Sequence, residues 1–289
     1  MSNRIIILLS SITFISNLLL TTPANSQSLV DCFMKGKGHG SLVVSYSWER
    51  YDEFFFGDER MDAPAPFGGE ITTQSVSLYG IYGLTDNLDV IVNLPFIAAQ
   101  GNNDEPEAPD QNVSGLQDAA LFLKWRPLYL ETESGSLSFL GAAGIATPLS
   151  GYEANSVLSI GNQSTRVDAR IMTQYFMNNG FFIDLQAGYS VRSNNVPNAT
   201  LLAGKIGYAG KNFYVDLWSE TQISDSDAPD ITPGEVPFNE TRVNYTQIGI
   251  SGYVPLTSSL GVSAGVGRYV GGRNVGLATR LSGGVVYSF

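Results

Sequence analysis

The chain has 289 residues, with 16 Lys+Arg against 27 Asp+Glu and a formal charge of -11. That balance argues against a nucleic-acid partner, whose phosphates are held by Lys and Arg. One Cys and one His exclude a disulfide framework, a Cys/His zinc site and an iron–sulfur cluster. Charged residues make up only 15%, beside 31 Gly, 14 Tyr and 15 Phe, which leans toward an envelope protein rather than a cytosolic enzyme.

Residues 1–26 read as a cleaved signal peptide. Arg4 supplies the positive start, residues 5–20 form an apolar stretch too short to span a bilayer, and Ala24-Asn25-Ser26 fits a small-residue cleavage site. The mature chain is therefore expected to be exported, and the barrel pattern below puts it in the outer membrane of a Gram-negative bacterium. Cys32 stands too far past the apolar stretch, with Asp31 before it, to be a lipid anchor. Residues 27–40 precede the first strand on the periplasmic side. They either tuck into the barrel as a short plug or hang as a tail; with His39 among Lys35, Gly36, Lys37 and Gly40, a flexible tail is expected.

After residue 26 no stretch is apolar enough for a spanning helix, so a membrane protein here must be a β-barrel. Segments of about ten residues alternate strictly, as barrel strands do. Val90, Val92, Leu94 and Phe96 share one face; so do Ala119, Leu121, Leu123 and Trp125, and Phe181, Ile183, Leu185, Ala187, Tyr189 and Val191. The fold class predicted is all-β, an antiparallel transmembrane barrel of about twelve strands. They lie near 41–55, 71–84, 88–98, 115–127, 135–147, 165–177, 180–192, 199–209, 212–223, 241–254, 259–270 and 275–289. Short turns alternate with long acidic loops, which a soluble sandwich has no reason to do and an outer-membrane barrel does, with its short turns in the periplasm. Aromatics gather near strand ends at Trp48, Tyr82, Phe96, Trp125, Tyr175, Phe181, Tyr208, Phe213, Tyr253 and Tyr287, where interfacial girdles belong. Tyr287 and the terminal Phe289 resemble the signal by which such barrels reach the barrel-assembly machinery.

The faces assigned to the lumen carry Glu49, Glu53, Asp89, Asp118, Asp168, Asp184, Asp216 and Glu220, and Lys124, Arg126, Arg166, Arg170, Arg192, Lys205 and Arg280. Phe122, Tyr214 and Trp218 join them, with Tyr51, Tyr79, Leu140, Met172, Phe182, Leu201 and Tyr245. Nearly balanced charge allows two readings: a salt-bridged plug, or a narrow pore whose walls oppose in sign. Aromatics mixed with isolated charges suit a small amphipathic or aromatic solute better than an ion, and packing inside a narrow barrel equally well. The loops concentrate acids, including Asp104, Glu105, Glu107, Asp110 and Glu235; Asp225, Asp227 and Asp230 are weak Ca²⁺ candidates. A solvated rim that meets divalent ions and lipopolysaccharide is the plainer account. A Ser–His enzyme is discounted because His39 lies before the first strand, and an Asp168–Asp184 carboxylate pair because Arg166 and Arg170 surround it. No cofactor is expected.

Residues 82–90 (YGLTDNLDV), Leu94-Pro95, residues 115–118 (GLQD), Lys124-Trp125-Arg126 and residues 144–152 (GIATPLSGY) resemble the outer-membrane transporters grouped as the phenol-degradation meta-pathway family. The resemblance is concentrated in residues 71–152. It implies a hydrophobic-solute channel, distantly like the long-chain fatty-acid transporters, and carries over no site residues. The function predicted is passive uptake of small hydrophobic or aromatic solutes across the outer membrane. The alternative is a closed structural or adhesive barrel whose acidic loops bind divalent ions, lipopolysaccharide or a protein.

Overall fold

The period-2 pattern becomes a closed wall whose two faces are inverted relative to a soluble protein. Along β1 (Gly40–Tyr51), Leu42, Val44 and Tyr46 are exposed on the outside, while Val43, Ser45 and Ser47 are buried inside. The computed structural model describes residues 29–62, 70–102, 112–156, 158–231 and 238–289. The signal segment and the loop acids Asp104, Glu105, Glu107, Asp110 and Glu235 lie outside them.

After β1 come a small hairpin, β2 (Glu53–Phe56) and β3 (Glu59–Asp62), then the wall strands β4 (Glu70–Thr85) and β5 (Leu88–Asn102). β6 (Asn112–Leu116) and β7 (Asp118–Thr132) are two halves of one stave, both paired to β5 and broken only at Gln117. The wall continues with β8 (Gly135–Pro148), β9 (Arg166–Met177), β10 (Phe181–Arg192), β11 (Ala199–Ala209), β12 (Tyr214–Ser224), β13 (Asn244–Pro255) and β14 (Leu260–Arg273). The two-residue β15 (Val275–Gly276) leads to β16 (Thr279–Ser288). Every wall pairing is antiparallel, and β1 pairs with both β4 and β16, so twelve staves close on themselves with no open edge.

Exposed Leu, Ile, Val and aromatic side chains cover the outer surface, among them Leu121, Leu123, Ile171, Leu185, Leu217 and Val285. In water such a surface would drive aggregation; in a bilayer it is the solvated face. The wall is therefore a transmembrane barrel. The five wall connections on the end shared by Gly40 and Phe289 are tight turns, which marks the periplasmic end. Tyr82, Phe289 and Tyr287 stack there in sequence at 6.3 and 5.9 Å between ring centroids.

Four sequence expectations change. The first strand ends at Tyr51, and Glu53 belongs to a three-stranded sheet with β15 at the outer end, ion-paired with Arg60, rather than to the lumen. Pro127 does not end its strand: a register shift between Trp125 and Leu128 absorbs Arg126 and Pro127, and pairing resumes to Thr132. Tyr253 faces inward at 5% exposure instead of joining the outer girdle. Residues 29–39 do not hang free: Val30, Asp31, Cys32 and Lys35 are buried inside the barrel.

Candidate functional site

The lumen is built from alternate residues of the staves and from the segment before β1. Two left-handed glycines, Gly36 and Gly38, turn that segment over the periplasmic rim. Gly38 N–H donates to Gly83 O at 2.9 Å, and Gly83 N–H donates back to His39 O at 2.9 Å. The approach is so close that a Cβ on Gly83 would lie 1.9 Å from Gly36 O. Residue 83 is glycine because the segment before β1 passes directly over it.

Beyond the rim the segment meets a buried charge cluster. Asp89 and Lys124 sit opposite each other on β5 and β7. Lys124 Nζ lies 3.2 Å from Asp89 Oδ2 and 3.2 Å from Asp31 Oδ1, and it also donates to Phe33 O. Lys35 adds a backbone N–H to Asp89 Oδ2 at 3.2 Å and its Nζ to Ser41 Oγ at 3.0 Å. With Lys124 and Asp89 fully buried, breaking such a set by removing one member leaves an uncompensated charge, which costs about 3–5 kcal/mol. Next to it Phe33 packs edge-on against Phe182 (5.2 Å), Phe176 (6.2 Å) and Tyr214 (6.2 Å), contacts worth roughly 0.5–1.5 kcal/mol each beyond burial. Gln186 Nε2 donates to Val30 O at 3.0 Å and Tyr79 Oη to Leu29 O at 3.3 Å, so the segment reaches mid-lumen. A second buried set lies across the bore. Asp184 faces Lys205 on adjacent strands, Lys205 is 3.7 Å from Asp216, and Tyr214 Oη donates to Asp216 Oδ2 at 2.7 Å.

On the outer side of the segment the described residues leave two cavities. A cavity of about 300 Å³ is walled by Glu49, Tyr79, Asn93, Asp118, Arg166 and Arg280 among others, and a second of about 150 Å³ by Arg166, Asp168, Arg170, Arg192, Glu220 and Tyr245 among others. Leu29 and Arg166 line both. Arg280 Nε donates to Glu49 Oε2 at 2.6 Å. The outer mouth is narrowed by residues 149–156 and 158–165: Tyr152 donates from its hydroxyl to Asp118, Gln117 Nε2 donates to Ile160 O, and Tyr152, Leu158 and Ile160 pack on Ile71 and Ala99. Burial and the carboxylate beside it push the Tyr152 phenol up.

Of the residues expected in the lumen, Asp89, Phe122, Lys124, Asp168, Asp184, Lys205, Tyr214, Asp216 and Trp218 are buried, while Glu49, Asp118, Arg166, Arg170, Glu220 and Arg280 wall the hollow part. Arg126 is elsewhere: it donates to Asn87 Oδ1 and Asp86 O at the periplasmic turn and covers the Tyr129 ring. The Ca²⁺ candidates do not converge. Asp230 is taken by Arg273 and Asn274, Asp225 accepts from Tyr189 Oη, and no metal-holding cluster occurs among the described residues. Asp31, Phe33 and Lys35 were not among the lumen residues expected; the one signal was that Asp31 interrupts the apolar run around Val30 and Cys32. His39 is exposed at the periplasmic rim.

A closed, lipid-facing barrel with a polar lumen and short turns at one end is an outer-membrane β-barrel. Residues 57–282 match the family described as "Putative MetA-pathway of phenol degradation", and the chain belongs to that family. Among curated proteins no sequence matches the chain. Among solved structures it is similar to the COG4313 outer membrane channel from Pseudomonas putida F1, at 16% identity and a TM-score of 0.72, covering 93% of this chain and 100% of that one. It is more remotely similar to the KdgM porin (11% identity, 86% and 99% covered, TM-score 0.47) and to the CymD monoaromatic hydrocarbon channel (8%, 88% and 88%, 0.43).

Proposed function

We propose that this protein is a passive outer-membrane channel for small hydrophobic or aromatic solutes, with residues 29–39 as a displaceable plug on the periplasmic half of the lumen. Residues 1–26 direct export and are removed, and Tyr287 with Phe289 address the barrel to its assembly machinery. The acidic outer loops face divalent ions and lipopolysaccharide.

One observation carries the channel reading: among the described residues the lumen is not packed solid. Side chains alone fill a barrel of about eight strands; in this wall of twelve, about 300 Å³ lies open above the segment among the described residues. That volume is at the lower end of small-molecule sites, which suits a solute of about one ring. Inward passage then requires only that the segment yield, since the wall below Leu29 already carries Tyr79, Phe176, Phe182 and Tyr214 to receive an aromatic in place of Phe33. The test is planar-bilayer conductance of the full mature chain and of the Asp31→Asn/Phe33→Ala variant. Rare openings in the wild type and sustained ones in the variant are expected. A folded variant as silent as the wild type would refute the plug, and no labelled aromatic entering liposomes with either protein would refute the channel.

A further inference from the structure

Three arginines meet at the smaller cavity, from two neighbouring strands. Arg166 and Arg192 are direct cross-strand partners on β9 and β10, and Arg170 follows four residues along the same face. Like charges placed opposite each other destabilise a sheet unless something of the other sign sits between them. Two carboxylates share this cavity, Asp168 and Glu220. Asp168 Oδ2 stands 3.7 Å from Arg166 Nε, and that buried Nε has no hydrogen-bond acceptor, while Arg170 and Glu220 are already engaged. The acids of the larger cavity are engaged elsewhere: Glu49 holds Arg280 and Asp118 accepts from Tyr152. Arg192 is steadied by Gln222 Oε1 at 2.7 Å and Ser190 Oγ at 3.3 Å, so its guanidinium is positioned rather than loose. Against this cationic face stand Leu29, Leu201 and Tyr245, which supply an apolar side.

We infer that the cavity lined by Arg166 and Arg192, with Arg170 beside them, is a binding site for a small aromatic monocarboxylate, its carboxylate on the Arg166 and Arg192 guanidiniums and its ring against Leu201 and Tyr245. Guanidinium forks match carboxylate geometry and give strong charge-assisted hydrogen bonds. The volume of about 150 Å³ admits one ring, with no room for an oligosaccharide. This deepens the channel reading and rests on it for physiological meaning: the solute would be an aromatic acid, held above the plug before passage. The site itself can be tested without conduction.

The experiment is calorimetric titration of the full mature chain, folded in detergent, with benzoate, benzyl alcohol as its neutral isostere, and inorganic phosphate. Arg166→Gln and Arg192→Gln variants are run beside it, with heat-modifiable gel migration as the check on folding. Saturable benzoate binding is expected, weakened about tenfold by either substitution, with no saturation by benzyl alcohol or phosphate. Equal binding of benzyl alcohol, displacement by phosphate at the same concentration, or folded variants that bind benzoate unchanged would each overturn the site. Conductance separates the two claims. Benzoate bound but never carried leaves the site and removes the passive channel; benzoate carried without saturable, arginine-dependent binding leaves the channel and removes the site.

Discussion

Replacing Lys124 by Met should free the segment while leaving the wall intact. Lys124 is fully buried and stands 3.2 Å from both Asp31 and Asp89. The methionine is similar in length and fills the same space, so the change is chiefly the loss of one cation between two buried carboxylates. Removing one partner of such a set costs about 3–5 kcal/mol. The cost falls on the docked arrangement, because undocking lets water reach Asp31 and Asp89. It therefore moves the docked-to-undocked ratio by roughly two to three and a half powers of ten. Trypsin reads this directly: Lys35 is buried in the docked segment, so cleavage after it tracks the open population when opening is fast. Cleavage should rise at least about a hundredfold in K124M. Adding Asp31→Asn and Asp89→Asn, which neutralise the stranded acids, should restore most of the protection. A K124M protein that is heat-modifiable, hence folded, and no more cleavable than the wild type would refute the claim that Lys124 anchors the segment.

The same logic extends to other positions. Gly83→Ala places a methyl 1.9 Å from Gly36 O, so the segment rather than the hydrogen-bonded strand should give way; cleavage after Lys35 should increase with little change in the barrel's heat-modifiable migration. Tyr152→Phe removes the donor to Asp118 and the acceptor for Gln163 N–H. A hydrogen bond to a charged group is worth about 1.5–3 kcal/mol, and amide exchange in residues 158–164 should quicken accordingly. The Asp230 carboxyl, outside the membrane, is lowered to about 2 chiefly by its hydrogen bonds from Arg273. A folded-state value below the unfolded one means that its contribution is complete above about pH 4 and is lost as pH falls through 2. Exchange in residues 225–231 should be flat from pH 7 down to 4, after correction for intrinsic rates, and rise only near pH 2; a rise centred near 4 would show that the Arg273 pairing is absent in solution.

The wall was legible because lipid imposes one demand on every other residue, and that demand is strict enough to read in Leu121-Phe122-Leu123-Lys124 without knowing what Lys124 meets. The lumen was legible only by default, as the face left over. Phe33, Asp31 and Lys35 make no periodic pattern, and their partners lie far away in sequence: 93 residues separate Asp31 from Lys124, and 54 separate Lys35 from Asp89. No local rule relates them. The glycines of residues 36–40 read as tail-like freedom, yet at Gly36 and Gly38 that freedom is used to make a turn. The small outer sheet was missed for a similar reason, because two-residue β15 is too short to show alternation.

The seam between the first and last strands has one more consequence. Gly40 N–H donates to Phe289 O at 2.8 Å, Phe289 N–H returns a bond to Gly40 O at 3.1 Å, and the Phe289 ring occupies the space a side chain at residue 40 would need. The segment that fills the bore therefore hangs from the very residue at which the cylinder is sealed. Residues 29–39 must either be threaded before the last strand zips to the first, or climb in afterwards past Gly83. The order of those two events decides whether a newborn barrel is ever leaky.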